Sequence, residues 1–118
     1  MTATSNENID IRLTVEQTFI INNILDRYYR MIRDIIDGNM YKNISDLIFK
    51  LNEIVRTNPY NNNIYYISMS ISEINLLCNI LDKYKYVVRD IIPKPNVIFI
   101  ADIIYDIKYQ LTTESKDI

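Results

Sequence analysis

Few residues in this chain of 118 have the type and spacing to do chemistry. Asp102 and Asp106 fall one helical turn apart, so their carboxylates could face one ion or serve as an acid–base pair. Nothing near them supplies further ligands or a nucleophile with an activating base, and an ordinary solvated face is expected. The lone cysteine, Cys78, sits among Leu76, Leu77, Ile80 and Leu81, a setting that suits a small core residue. The chain has no histidine, which excludes Cys–His chemistry and ordinary zinc sites. No catalytic residue, no metal and no cofactor is expected, because acid–base and nucleophilic catalysis need paired groups.

Binding chemistry is better supplied. Arg27, Tyr28, Tyr29, Arg30 and Arg33 form one basic and aromatic run, and Lys83, Tyr84, Lys85, Tyr86 and Arg89 form another. Such interleaving can stack bases and hold phosphates. The spacings Asp26 to Arg30 and Arg33 to Asp37 are equally those of surface ion pairs. Ten tyrosines exceed what the core of so short a chain needs. Tyr29, Tyr60, Tyr66 and Tyr86 are the surplus, and with Arg30 they are the candidate protein interface, since tyrosine and arginine concentrate binding energy there. A homodimer would use the same residues.

Bulk properties narrow the classes. The length suits a single domain, residues 1–118, with one real core. A formal net charge of −2 gives no long-range attraction to phosphate. One cysteine rules out an internal disulfide and fits a reducing compartment. The polar start MTATSNEN lacks a hydrophobic run, and no apolar stretch approaches a membrane span, so an intracellular, cytoplasmic protein with no membrane partner is expected. Isoleucine, asparagine, tyrosine and lysine, whose codons are AT-rich, dominate the composition. In this it resembles small products of viruses and mobile elements.

The elements that must position these residues come in two similar sets. The stretch Thr14 to Asp37 aligns without a gap to Ser70 to Pro93. Asn23-Ile-Leu-Asp26 answers to Asn79-Ile-Leu-Asp82, Tyr28 to Tyr84, and Arg33-Asp-Ile-Ile36 to Arg89-Asp-Ile-Ile92. The constant shift of about 56 residues implies a duplicated unit, about 9–57 and 64–112, joined by the turn-rich linker 58–63. In each unit an alternating strand comes first: Ile9, Ile11 and Leu13 inward, then Tyr65, Ile67 and Met69. Thr14 to Gln17 and Ser70 to Glu73 have the spacing of capping boxes. A long helix follows each box. The first carries Ile20, Ile21, Ile24, Leu25, Tyr28, Met31, Ile32, Ile35 and Ile36 on its apolar stripe and ends near Asp37, with Gly38 as its C-cap. The second carries Leu77, Ile80, Leu81, Tyr84, Val87, Val88 and Ile91 and is stopped by Pro93 and Pro95. Shorter helices complete the units over Tyr41 to Val55, capped by Asn43 or Ser45, and over Val97 to Leu111.

The expected fold is thus α+β and mostly helical: a duplicated βαα repeat whose two strands form an antiparallel ribbon on four helices, with approximate two-fold symmetry. That order, together with the string IRLTVEQ, resembles the ribbon-helix-helix family of DNA-binding proteins, with both copies carried by a single chain. The resemblance implies that outward ribbon side chains enter the major groove. By position these are Asp10, Arg12 and Thr14 on one strand and Tyr66, Ser68 and Ser70 on the other. Arginine there suits guanine O6 and N7. The acidic balance and the tyrosines favour instead a non-enzymatic protein that binds a host defence or regulatory protein and inhibits it. DNA recognition is the alternative.

Overall fold

The computed structural model describes residues 8–32, 38–57 and 64–116. The linker 58–63, the expected end of the first long helix near Asp37, and residues Arg33, Ile35, Ile36 and Tyr60 lie outside them. The fold is α+β and mostly helical, in the order β1 (Asn8–Thr14), α1 (Val15–Ile32), α2 (Gly38–Thr57), β2 (Ile64–Ser70), α3 (Ile71–Val88) and α4 (Lys94–Lys116). The strands form a two-stranded antiparallel sheet.

Alternation governs both strands. Ile9, Ile11 and Leu13 are buried in β1, while Tyr65, Ile67 and Met69 are buried in β2. Their neighbours Asp10, Arg12, Tyr66 and Ser68 are exposed. A period of two puts successive side chains on opposite faces, so each strand has one covered face and one wet face.

Both capping boxes form where they were expected. The Thr14 N–H donates to Gln17 Oε1 at 2.9 Å, and the Gln17 N–H donates to Thr14 Oγ1 at 3.0 Å. The Ser70 N–H donates to Glu73 Oε1 at 2.9 Å, with the Glu73 N–H returning to Ser70 Oγ at 3.1 Å. Each box satisfies amide donors that the first helical turn leaves without partners. Ser70→Ala is therefore expected to cost about 1 kcal/mol, read as a lowered urea midpoint with an unchanged slope.

The chain clusters into two compact units, residues 1–11 with 68–118 and residues 12–67. In the 12–67 unit α1 packs on α2, and Ile21, Ile24, Leu25, Ile44, Leu47 and Leu51 are the buried apolar side chains of the two helices' central turns. In the other, α3 packs on α4, and Leu77, Cys78, Leu81, Ile100, Ile103 and Ile107 are among their buried side chains. Elements recur at one interval: β1 and β2 start at 8 and 64, α1 and α3 at 15 and 71, α2 and α4 at 38 and 94, each 56 apart. Burial follows the same interval. Ile9, Ile11 and Leu13 answer to Tyr65, Ile67 and Met69. Thr18, Ile21, Ile24, Leu25 and Ile32 answer to Ile74, Leu77, Ile80, Leu81 and Val88. Ile44, Leu47 and Leu51 answer to Ile100, Ile103 and Ile107.

Several boundaries differ from those expected. Gly38 opens α2 in helical conformation, so it is not a left-handed cap, and a Cβ added there would meet nothing within 4 Å. Asn43 and Ser45 consequently lie inside α2 and cap nothing. α3 ends at Val88, before the prolines reach it. The amides of Ile91 and Ile92 close that end by donating to the Val88 carbonyl, at 2.8 and 3.0 Å. The prolines instead start α4, three residues before Val97. The Pro93 carbonyl accepts from the Asn96 and Val97 amides at 2.9 and 3.3 Å. Proline is tolerated in a first turn because its missing N–H would have no helical partner there.

The apolar stripes are narrower than expected. Val87 is half exposed and Ile91 is 77% exposed, although both were assigned to the inward face of α3. At 100° per residue Val88 continues the Leu77–Leu81–Tyr84 row, which turns Val87 outward. Ile91 lies beyond the helix end. Met31 is exposed on α1 for the same angular reason, while Ile20 and Tyr28 are only half-buried.

Candidate functional site

Apolar and aromatic side chains that the core does not take up mark the surface. At the end of α3, Tyr86 is 63% exposed and the Arg89 guanidinium lies over its ring, 3.9 Å from the centroid. The i, i+3 spacing places the two on one side of the last turn. A cation over a ring face is held by the ring quadrupole, so both side chains are set in place together. The Asp90 carboxylate lies 3.7 Å from the Arg89 Nε. Val87, between the two in sequence, and Ile91, two residues past Arg89, are exposed as well. On α4, Ile98, Tyr105 and Tyr109 are also exposed. Their spacing of seven and four residues forms a stripe opposite Ile100, Ile103 and Ile107.

The other candidate interface residues have different surroundings. Tyr29 is half-buried, and its ring stacks on that of Tyr41, with centroids 4.2 Å apart and planes 17° from parallel. Arg30 is exposed and pairs with Asp26 at 3.3 Å, the ion pair its spacing implied. Arg33 and Asp37 lie outside the described residues, as does Tyr60. Tyr66 is 62% exposed on β2. The candidate DNA-contacting residues Arg12 and Thr14 of β1 are exposed and belong, like Tyr66, to the 12–67 unit. Ser68 is exposed and Ser70 half-buried, in the other unit, and Ser70 Oγ is already engaged in its capping box. Tyr105 and Tyr109 escaped the sequence reading. Their signal was available, since both fall opposite the inward isoleucines of α4.

Carboxylate and thiol chemistry find no constellation among the described residues. Asp102 is exposed, and Asp106 accepts from Gln110 Nε2 at 3.3 Å. No three cysteine or carboxylate side chains come together there to hold a metal ion. Burial raises the Cys78 pKa, and the positive charge of Lys108 offsets this in part. The thiol is thereby held in its protonated form, which is the poorer nucleophile. No helix among the described residues is long and apolar enough to cross a membrane.

The 12–67 unit contains a groove between α1 and α2. Its volume is about 230 Å³, and Phe19, Asn22, Asn23, Asp26, Ile48 and Asn52 line it. Asn22 Nδ2 donates to Asn52 Oδ1 at 2.8 Å, while Asn22 Oδ1 is covered and has no hydrogen-bond partner among the described residues. At the position 56 residues later stands Cys78, which is buried without any such amide. Leaving a covered carbonyl without a donor costs about 1–3 kcal/mol. Asn22→Cys is accordingly expected to stabilise the protein by about 1 kcal/mol, visible as a raised urea midpoint.

Compared with known proteins, the chain matches no family model, no curated protein and no solved structure.

Proposed function

We propose that the protein is a non-enzymatic binding protein that acts by covering a surface of another protein. The observation that carries this reading is the exposed Tyr86–Arg89 stack, with Val87 and Ile91, close to it in sequence, also exposed. Aromatic and arginine side chains held in place before contact lose little freedom on binding, which is why such residues dominate interface energetics. Apolar side chains left exposed on so small a chain have no role in its own core. The composition supports a viral or mobile-element origin, and with it a host defence or regulatory protein as the target that is inhibited by direct contact. The same surface would serve a homodimer.

The architecture belongs to the proposal as well. Two copies of a βαα unit, related by an approximate two-fold through their antiparallel strands, would account for the recurrence of element starts and buried positions at one interval. A second functional reading has its own support. Arg12, Thr14, Tyr66 and Ser68 are exposed on the ribbon strands, as a single-chain regulator resembling ribbon-helix-helix proteins would require for reading DNA.

One pair of measurements separates the readings. Titration into duplex DNA at two salt concentrations would give tight, steeply salt-dependent binding for a DNA reader. Affinity capture from host extract would give a stoichiometric protein partner under the first reading, and that partner should be lost with Tyr86→Ala. Tight DNA binding abolished by Arg12→Ala, with no captured protein, would reverse the ranking.

A further inference from the structure

The groove between α1 and α2 has a chemistry that selects its occupant. Its one titratable lining group is the Asp26 carboxylate, so it favours a cation over a phosphate. Its amides also leave acceptors over. Asn22 Nδ2 is committed to Asn52, and Asn22 Oδ1 has no donor. Phe19, 63% exposed, offers a ring face at the edge. A planar group bearing several donors, no acceptor and a positive charge matches the ring as it stands, the carboxylate once Arg30 leaves it and the Asn22 carbonyl once that side chain turns outward. Among side chains that group is the guanidinium.

We propose that this groove takes the arginine side chain of a partner protein, with the guanidinium stacked on Phe19 and donating to Asp26 and Asn22. The proposal deepens the protein-binding reading and rests on it only for the source of the arginine. Two features of the groove have to yield. Asn22 Oδ1 is covered, so the Asn22 side chain must turn outward, exchanging its bond to Asn52 for one to the ligand. Asp26 already pairs with Arg30 at 3.3 Å, but that pair is exposed and such pairs are weak, so an incoming arginine displaces it readily. The positions 56 residues later would not bind the same group. Lys108 stands in the place of Asn52 and repels a cation, while Cys78 stands buried in the place of Asn22.

The test uses the full chain, ¹⁵N-labelled, with the side-chain amide resonances of Asn22, Asn23 and Asn52 as the readout. Nα-acetyl-arginine N-methylamide is titrated in parallel with its lysine analogue, its neutral citrulline isostere and AMP. The arginine compound should give saturable shifts in roughly the millimolar range, as befits a single-side-chain fragment. The lysine compound should bind several-fold more weakly because an ammonium cannot stack flat. Asp26→Asn should weaken the arginine response about tenfold, a factor appropriate to one charge-assisted contact. Phe19→Ala should weaken it several-fold, and Arg30→Ala should strengthen it by removing the competitor. Thermal melts establish that each variant folds. Asn52→Lys, which imports the residue found at position 108, supplies an independent block should Asp26→Asn be destabilised. Equal shifts with citrulline, stronger shifts with AMP, or no saturable shift would each overturn the assignment. The probes require no partner, so that failure is distinct from failure to capture a protein through Tyr86.

Discussion

Replacing Leu25 or Leu81 by alanine is expected to cost about 3 kcal/mol in each case, within the 2–5 kcal/mol found for buried leucines. Both side chains are fully buried, one in α1 and one in α3, 56 residues apart. Each deletion removes the transfer free energy of the lost methyl and methylene groups and leaves a cavity that rigid neighbours fill only in part. For a chain of this size the loss should appear as a fall in Tm of roughly 10 °C, and as a lower urea midpoint. Each strand is divided between the two compact units, so neither unit can unfold while keeping its strands whole. A single transition is therefore expected for both variants. Closely matched losses would support a duplicated packing unit. A loss below about 1 kcal/mol at one site with a full loss at the other would remove that support, and two separate transitions would show that the units unfold independently.

Truncating the exposed stack is expected to damage binding and spare the fold. Tyr86→Ala should weaken the captured complex about 30-fold, corresponding to about 2 kcal/mol for an aromatic anchor. Its effect on stability should stay within about 0.5 kcal/mol, as for most exposed positions. Arg89→Ala should cost a similar factor, and the double variant less than the product of the two. The residues are in contact, and removing one already releases the other. Arg89→Lys is the sharper variant. It keeps the charge beside Asp90 but loses the planar group that lies over the Tyr86 ring, so binding should fall by an intermediate factor. Affinities from calorimetry on the purified complex would decide the matter. Unchanged binding by Tyr86→Ala would move the interface elsewhere, with the α4 stripe of Ile98, Tyr105 and Tyr109 the next surface to truncate.

How much of this was legible in the residues depended on how local the physics was. The two strands, both capping boxes and the centres of the inward helical rows were readable, because each rests on spacings of two to four residues. The edges of those rows, Val87 and Met31 among them, were not. The starts of α2 and α4 were not either, because glycine and proline each have two uses. Gly38 can end a helix in left-handed backbone or simply occupy a first turn, and it does the latter. Pro93 and Pro95 can stop α3 or begin α4, and they begin α4. Of the candidate site, Tyr66, Tyr86 and Arg30 were legible as surplus polar-tipped or charged residues, while the cation–ring contact of Arg89 and the amides of the α1–α2 groove were not. Asn22 and Asn52 lie thirty residues apart, and no periodicity joins them.

Residue order by itself determined the element types, the centres of the buried rows and the recurrence at one interval, since these follow from backbone sterics and from side-chain projection along one element. Only the tertiary structure decided which aromatic rings are taken up and which remain available. Tyr29 stacks on Tyr41, a ring supplied by another helix, whereas Tyr86 meets the arginine of its own last turn and stays in the open. Burial is a property of what lies across from a side chain, and that neighbour comes from a distant part of the chain.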